Sequence, residues 1–126
     1  METTESHDYL VRSASTATFG RVLLSARDQH IVVDGPAQSG CPGEAMTPGE
    51  LFLGGVAACA AELVQVVAHQ EGIPLAGVET EATGTVDRAH TLRSDLTVFR
   101  SAALRFTFHG VGHTEGAALV EAFKGR

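Results

Sequence analysis

The chain has 126 residues, 44% of them apolar and 19% charged, which suits one globular domain over residues 1–126 and excludes a disordered or fibrous chain. Its 9 Lys and Arg against 15 Asp and Glu leave a net charge of −6, so neither nucleic acid nor an anionic membrane surface is an expected partner. Only 2 cysteines occur, Cys41 and Cys59, too few for a disulfide scaffold, and a reducing, cytoplasmic compartment is expected.

Residues 1–7 are polar and acidic, unlike the basic start and apolar run of a signal peptide. Residues 9–19, rich in Val, Ser, Thr and Ala, read as a strand with a bend at Phe19-Gly20. Residues 22–26 and 29–33 flank the polar pair Arg27-Asp28 and predict a hairpin. Residues 34–47 gather Gly, Pro, Ser and Asp into a loop long enough to be functional or mobile.

Thr47-Pro48-Gly49-Glu50 is a capping box. Thr47 can accept from the N3 amide, Pro48 at N1 needs no donor, and Glu50 can reach back. The helix it opens is predicted to run to Glu71 and stop at Gly72, with Pro74 just beyond. The apolar run of residues 51–61 is about half a membrane span and is followed by Glu62. Residues 54–61 are unusually small. A glycine costs roughly 1 kcal/mol against alanine inside a helix, so close approach of another backbone is the expected compensation. A central, buried helix and dimerisation through its small residues follow.

Residues 78–87 read as a strand, and so do residues 99–111, with Leu104, Phe106 and Phe108 on one face and Arg105, Thr107 and His109 on the other. Thr114 is placed to cap a second helix over residues 115–124. The order βββαββα predicts an α+β fold with an antiparallel sheet.

Cys59 lies about twelve residues into its helix, beyond the reach of the macrodipole. At 100° per residue it shares a face with Phe52, Gly55, Glu62 and Val66. Glu62 would raise a neighbouring thiol's pKa, so an activated Cys59 needs a cation from elsewhere, an arginine by preference. Otherwise it is a small hydrophobe filling a tight contact. Cys41, in the Gly/Pro loop, is either an incidental, accessible thiol or a second thiol able to meet Cys59.

The run Gly110-Val111-Gly112-His113-Thr114-Glu115-Gly116 follows a strand and opens a helix, as a dinucleotide loop would, yet no second parallel strand completes that unit. His109 and His113 have the spacing of a helical metal pair but straddle two glycines at a strand end. Neither a cofactor nor a metal is expected.

The segment Thr47-Pro48-Gly49-Glu50-Leu51-Phe52-Leu53, continued by small residues to Cys59, resembles the cysteine-bearing helix of the OsmC/Ohr family. Phe99-x-x-Ala102-x-Leu104-x-Phe106-x-Phe108-x-Gly110-Val111, then Leu119-Val120-Glu121, resembles its last strand and final helix. The likeness extends over about residues 9–125, and the helix pattern looks closer to the uncharacterised OsmC-like branch than to authentic Ohr. It implies an intertwined homodimer in which antiparallel sheet wraps a long central helix. It also implies that Cys59, as thiolate, attacks an organic hydroperoxide and becomes a sulfenic acid, which a second cysteine resolves. Dithiols, lipoylated proteins among them, are the implied reductants. Arg21 is the best positional match for the family's thiolate-stabilising arginine, and Arg12 a weaker one. Gly49 stands where Ohr enzymes carry a glutamate. The family's resolving cysteine follows the final helix, a place this sequence reaches at Arg126. The expected resolving thiol is therefore a cysteine past that residue, Cys41, or an external thiol. The alternative from another class is a non-catalytic dimer that binds a small apolar ligand or senses oxidation.

Overall fold

The computed structural model describes residues 6–90 and 99–125. Most of the polar start read over residues 1–7 thus lies outside the described residues. The chain divides into two compact units, Met1–Leu51 and Phe52–Arg126.

In the first unit, β1 (Arg12–Ser15), β2 (Arg21–Ala26) and β3 (Gln29–Asp34) form an antiparallel sheet in the order β1-β2-β3. The strand expected over residues 9–19 is confined to β1. Beyond it Thr16 Oγ1 accepts from the Thr18 amide at 3.1 Å and donates to the Arg21 carbonyl at 3.0 Å, folding the chain back. Gly20, at φ 81°, completes that bend. The hairpin turns at Arg27-Asp28, as expected, with Ala26 opposite Gln29 and Arg21 opposite Asp34. Arg27 has φ 55°, a left-handed value that the tight turn demands and that glycine adopts more readily. A single 3-10 turn, Ala37–Ser39, opens the following loop.

Helix α1 spans Pro48–Glu71, and both predicted ends hold. Glu50 N donates to Thr47 Oγ1 at 3.3 Å and Thr47 N to Glu50 Oε1 at 3.0 Å, the reciprocal capping box. At the other end Gly72 has φ 68°. The Ile73 amide returns to the Ala68 carbonyl at 2.9 Å and the Gly72 amide to that of His69 at 3.4 Å, a Schellman motif.

In the second unit β4 (Gly77–Thr85) and β5 (Ser101–His109) pair antiparallel, and α2 (His113–Lys124) follows. Val64, Val67 and Ala68 of α1 and Leu119 of α2 are the buried core, with Ile73, Val78, Phe106, Phe108 and Phe123 packed against them. Phe106 stacks on Phe108 with centroids 5.6 Å apart and meets Phe123 edge-on at 5.5 Å. Leu104, Phe106 and Phe108 are half-buried while Arg105, Thr107 and His109 are exposed, which is the alternation expected for this strand.

Two expectations need correcting here. The cap of α2 is Gly112 rather than Thr114; the glycine has no side chain to offer, and its amide donates to Glu115 Oε1 at 3.3 Å. Helix α1 is buried along one stripe only, through Ala60, Val64, Val67 and Ala68. Within the chain no other atom lies within 4 Å of a Cβ built on Gly54 or Gly55. The expected close backbone approach is therefore absent from the lone chain, because β4, β5 and α2 cover one side of the helix. By length and composition alone α1 could cross a membrane, yet its buried stripe joins the core of a globular unit.

Candidate functional site around Cys59 and Arg21

Cys59 is a free, exposed thiol on the uncovered side of α1. Phe52, Gly55 and Glu62 on the same face are also exposed, and Val66 is half-buried. The buried stripe runs along the other side of the helix, so the fold presents the sulfur outward instead of using it as core filling. A nucleophilic thiolate at this place is open to a substrate as bulky as an organic hydroperoxide.

Arg21 begins β2 and Asp34 ends β3, directly across the ladder. The guanidinium grips the carboxylate two-toothed: Nε donates to Oδ1 and Nη2 to Oδ2, each at 2.8 Å. Nη2 also reaches Glu44 Oε1 at 2.8 Å. Asp34 is fully buried, and Glu44 is 76% exposed. The amides of Glu44 and Ala45 both donate to Asp34 Oδ2 at 3.0 Å. The Asp34 amide donates to the Met46 carbonyl at 3.0 Å. The Arg21 guanidinium holds the Asp34 carboxyl well below the usual carboxylate range; burial opposes this, and the two loop amides reinforce it. Arg21 is correspondingly held more firmly protonated by Asp34 and then Glu44.

The partner Asp34 had gone unnoticed among the loop residues. Its signal lies in the turn: counting back equally from both sides of Arg27-Asp28 sets Arg21 opposite Asp34, an oppositely charged cross-strand pair.

Cys41, expected to be accessible, is half-buried and free of any disulfide. A Cβ on Gly20 would come 2.5 Å from its sulfur, and one on Gly35 would overlap that same atom. The thiol thus fills a notch between the two glycines that flank the Arg21–Asp34 pair. Cys41 and Arg21 belong to the first unit and Cys59 to the second.

The other motifs receive structural explanations. Gly110 turns with φ 88°, and Gly116 lets α2 lie against the ring of Phe108, where a Cβ would come within 3.0 Å. His109 Nε2 bonds Glu79 Oε2 at 2.7 Å. Among the described residues no three His, Cys, Asp or Glu side chains are grouped to hold a metal ion. An open groove of about 590 Å³ runs between β5 and α2, lined by Phe106, Phe108, Val111 and Val120 among others, with no cysteine in its wall.

A family model described as an OsmC-like protein matches residues 41–124. No curated protein matches the chain in sequence. Among solved structures, an OsmC-like protein of Mycoplasma pneumoniae superposes with a TM-score of 0.80 at 16% identity, over 97% of this chain and 84% of that one. An organic hydroperoxide resistance protein OsmC of Legionella pneumophila gives 0.72 at 20% identity, over 95% and 84%. The organic hydroperoxide resistance protein OhrB of Bacillus subtilis gives 0.63 at 17%, over 93% and 83%. These likenesses agree with the α+β reading and with the fold expected from the helix motif. With α1, the second sheet and nearly all of α2 inside the matched span, the chain belongs to the OsmC-like protein family.

Proposed function

We propose that this protein is a cysteine-dependent peroxidase that reduces organic hydroperoxides in oxidative stress defence, working as a cytoplasmic homodimer. The observation that carries this reading is the exposed Cys59 thiol on the uncovered face of α1, inside the span matched to the OsmC-like family. Two similar folds, from Legionella pneumophila and Bacillus subtilis, bear the name of organic hydroperoxide resistance proteins.

The Cys59 thiolate attacks the terminal oxygen of the hydroperoxide. The O–O bond breaks, the alkoxide takes a proton and leaves as alcohol, and the sulfur keeps the hydroxyl as a sulfenic acid. Arg21 stabilises the thiolate, since a fixed cation lowers a thiol's pKa. A second thiol condenses with the sulfenic acid, forming a disulfide and releasing water, and an external dithiol such as a lipoylated protein reduces that disulfide. Cys41 or an external thiol supplies the second sulfur. To serve, Cys41 must first leave its notch between Gly20 and Gly35, so an external thiol is the simpler resolver.

The test is cumene hydroperoxide consumption with a dithiol reductant. Cys59→Ser should abolish turnover, whereas Cys41→Ser should slow it a few-fold at most. Intact mass after peroxide alone shows the chemistry directly: wild type loses two protons if Cys41 resolves Cys59, and gains oxygen if it does not. Unchanged consumption by Cys59→Ser would overturn the reading. The groove beside α2 favours the second reading, a non-catalytic dimer that binds a small apolar ligand. An unreactive Cys59 together with saturable binding of an apolar fluorophore would support it.

A further inference from the structure

Asp34 is the one fully buried carboxylate among the described residues, and nothing in the peroxidase chemistry above uses it. It nonetheless accepts four hydrogen bonds. Two come from Arg21, at Nε and Nη2, and two from the amides of Glu44 and Ala45. Its own amide adds a tie to the Met46 carbonyl. Residues 44–46 lead directly into Thr47, the cap of α1. One carboxylate therefore fixes the plane of the Arg21 guanidinium and the strand that enters the cysteine-bearing helix. Among the described residues Nη1 of Arg21 has no hydrogen-bond partner, and the side chain is 28% exposed. The fork at Nε and Nη2 leaves that one nitrogen to meet an anion.

We infer that Asp34 is a positioning residue for the peroxidase: by gripping Arg21 at Nε and Nη2 it aims Nη1 at the Cys59 thiolate. This rests on the assignment of Arg21 to that thiolate. Charge and orientation make opposite demands here. A carboxylate beside Arg21 weakens the cation's field, so if Asp34 acted through charge alone, its neutralisation would favour the thiolate. If it acts by aiming the guanidinium, its neutralisation loosens the fork and disfavours the thiolate, because a guanidinium is directional where an ammonium is a point charge.

The experiment measures the pH dependence of Cys59 alkylation by iodoacetamide, followed by peptide mass so that Cys41 does not interfere. Wild type is compared with Asp34→Asn, Arg21→Lys, Arg21→Ala and Glu44→Gln, with thermal melts alongside. Asp34→Asn is expected to raise the midpoint by about one pH unit, as does Arg21→Ala, and the Asp34→Asn/Arg21→Ala double variant should add nothing further. Arg21→Lys, which keeps the charge but cannot fill the fork, should resemble Arg21→Ala. Glu44→Gln removes a negative charge without opening the fork and should leave the midpoint level or lower. A midpoint that falls or stays put in Asp34→Asn overturns the proposal. Should that variant not fold, Arg21→Lys decides, and a wild-type midpoint there overturns it equally. If Arg21→Ala itself leaves the midpoint unmoved, the assignment of Arg21 to the thiolate fails, and the Asp34 proposal with it. A shift in Arg21→Ala without one in Asp34→Asn removes Asp34 alone.

Discussion

Two residues in the first unit carry consequences for stability that are separate from catalysis. Asp34 is ionised in the fold well below its ordinary range because Arg21 and two amides hold its charged form. Its folded pKa is thus depressed below the unfolded one, so its contribution is complete above about pH 4 and is lost as pH falls towards the folded value. The stability gap between wild type and Asp34→Asn should therefore be widest near neutrality and should narrow as pH drops below about 4, as urea melts at several pH values would show. A gap that widens in acid would contradict the assigned ion pair. Cys41 acts through shape. A methyl on Gly35 would overlap its sulfur, so Gly35→Ala should cost about 1–3 kcal/mol, the usual range for overpacking. Trimming the sulfur in Gly35→Ala/Cys41→Ala should recover part of that loss, a non-additivity expected only of residues in contact.

At the scale of elements, α1 joins a strong local signal to an unfinished environment. Thr47→Ala removes one half of its capping box and should destabilise by about 1 kcal/mol. Gly54→Ala and Gly55→Ala meet no atom within 4 Å of the new methyl in the lone chain, so helix propensity alone would make each about 1 kcal/mol stabilising. If these glycines lie in the contact between the two helices of a dimer, the same changes should weaken self-association while raising the helicity of the monomer. Sedimentation and circular dichroism on one sample separate the two effects. The ends of α1 were legible because caps are local: Thr47, Pro48, Glu50 and Gly72 lie within a turn of the groups they satisfy. The alternation in β5 was legible for the same reason. The start of α2 was not, since Thr114 carries the better capping side chain and only the turn at Gly110 brings the chain into line at Gly112. The thiol was found as a residue type and strengthened by the family likeness. Its candidate cation came from position, and the Arg21–Asp34 fork required the strand register, a long-range fact that sequence spacing states only once the hairpin turn is fixed.

For the molecule as a whole, burial is the quantity that decides its state in solution. A single domain of this size ordinarily hides roughly two thirds of the surface its unfolded chain exposes. In this chain only Val33, Ala60, Val64, Val67, Ala68 and Leu119 are buried hydrophobics among the described residues, while Phe19 is 75% and Phe52 63% exposed. Ile31 and Val32 on β3 are nearly half exposed as well. Apolar surface spread over both units on this scale marks a contact with another chain, and for an OsmC-like protein a second copy is the proposed one. Burying it would supply stability the lone core lacks, and would make unfolding depend on protein concentration. Sedimentation at micromolar concentration should therefore give a mass of about twice 13.2 kDa, and the melting temperature should rise with concentration. Phe52→Glu places a charge on the exposed face that Cys59 shares. It should shift the equilibrium towards monomer and flatten the concentration dependence of melting, with little change in the intrinsic propensity of α1. A wild-type monomer that melts cooperatively at one temperature over a hundredfold range of concentration would refute the homodimer, and the contact expected of Gly54 and Gly55 with it.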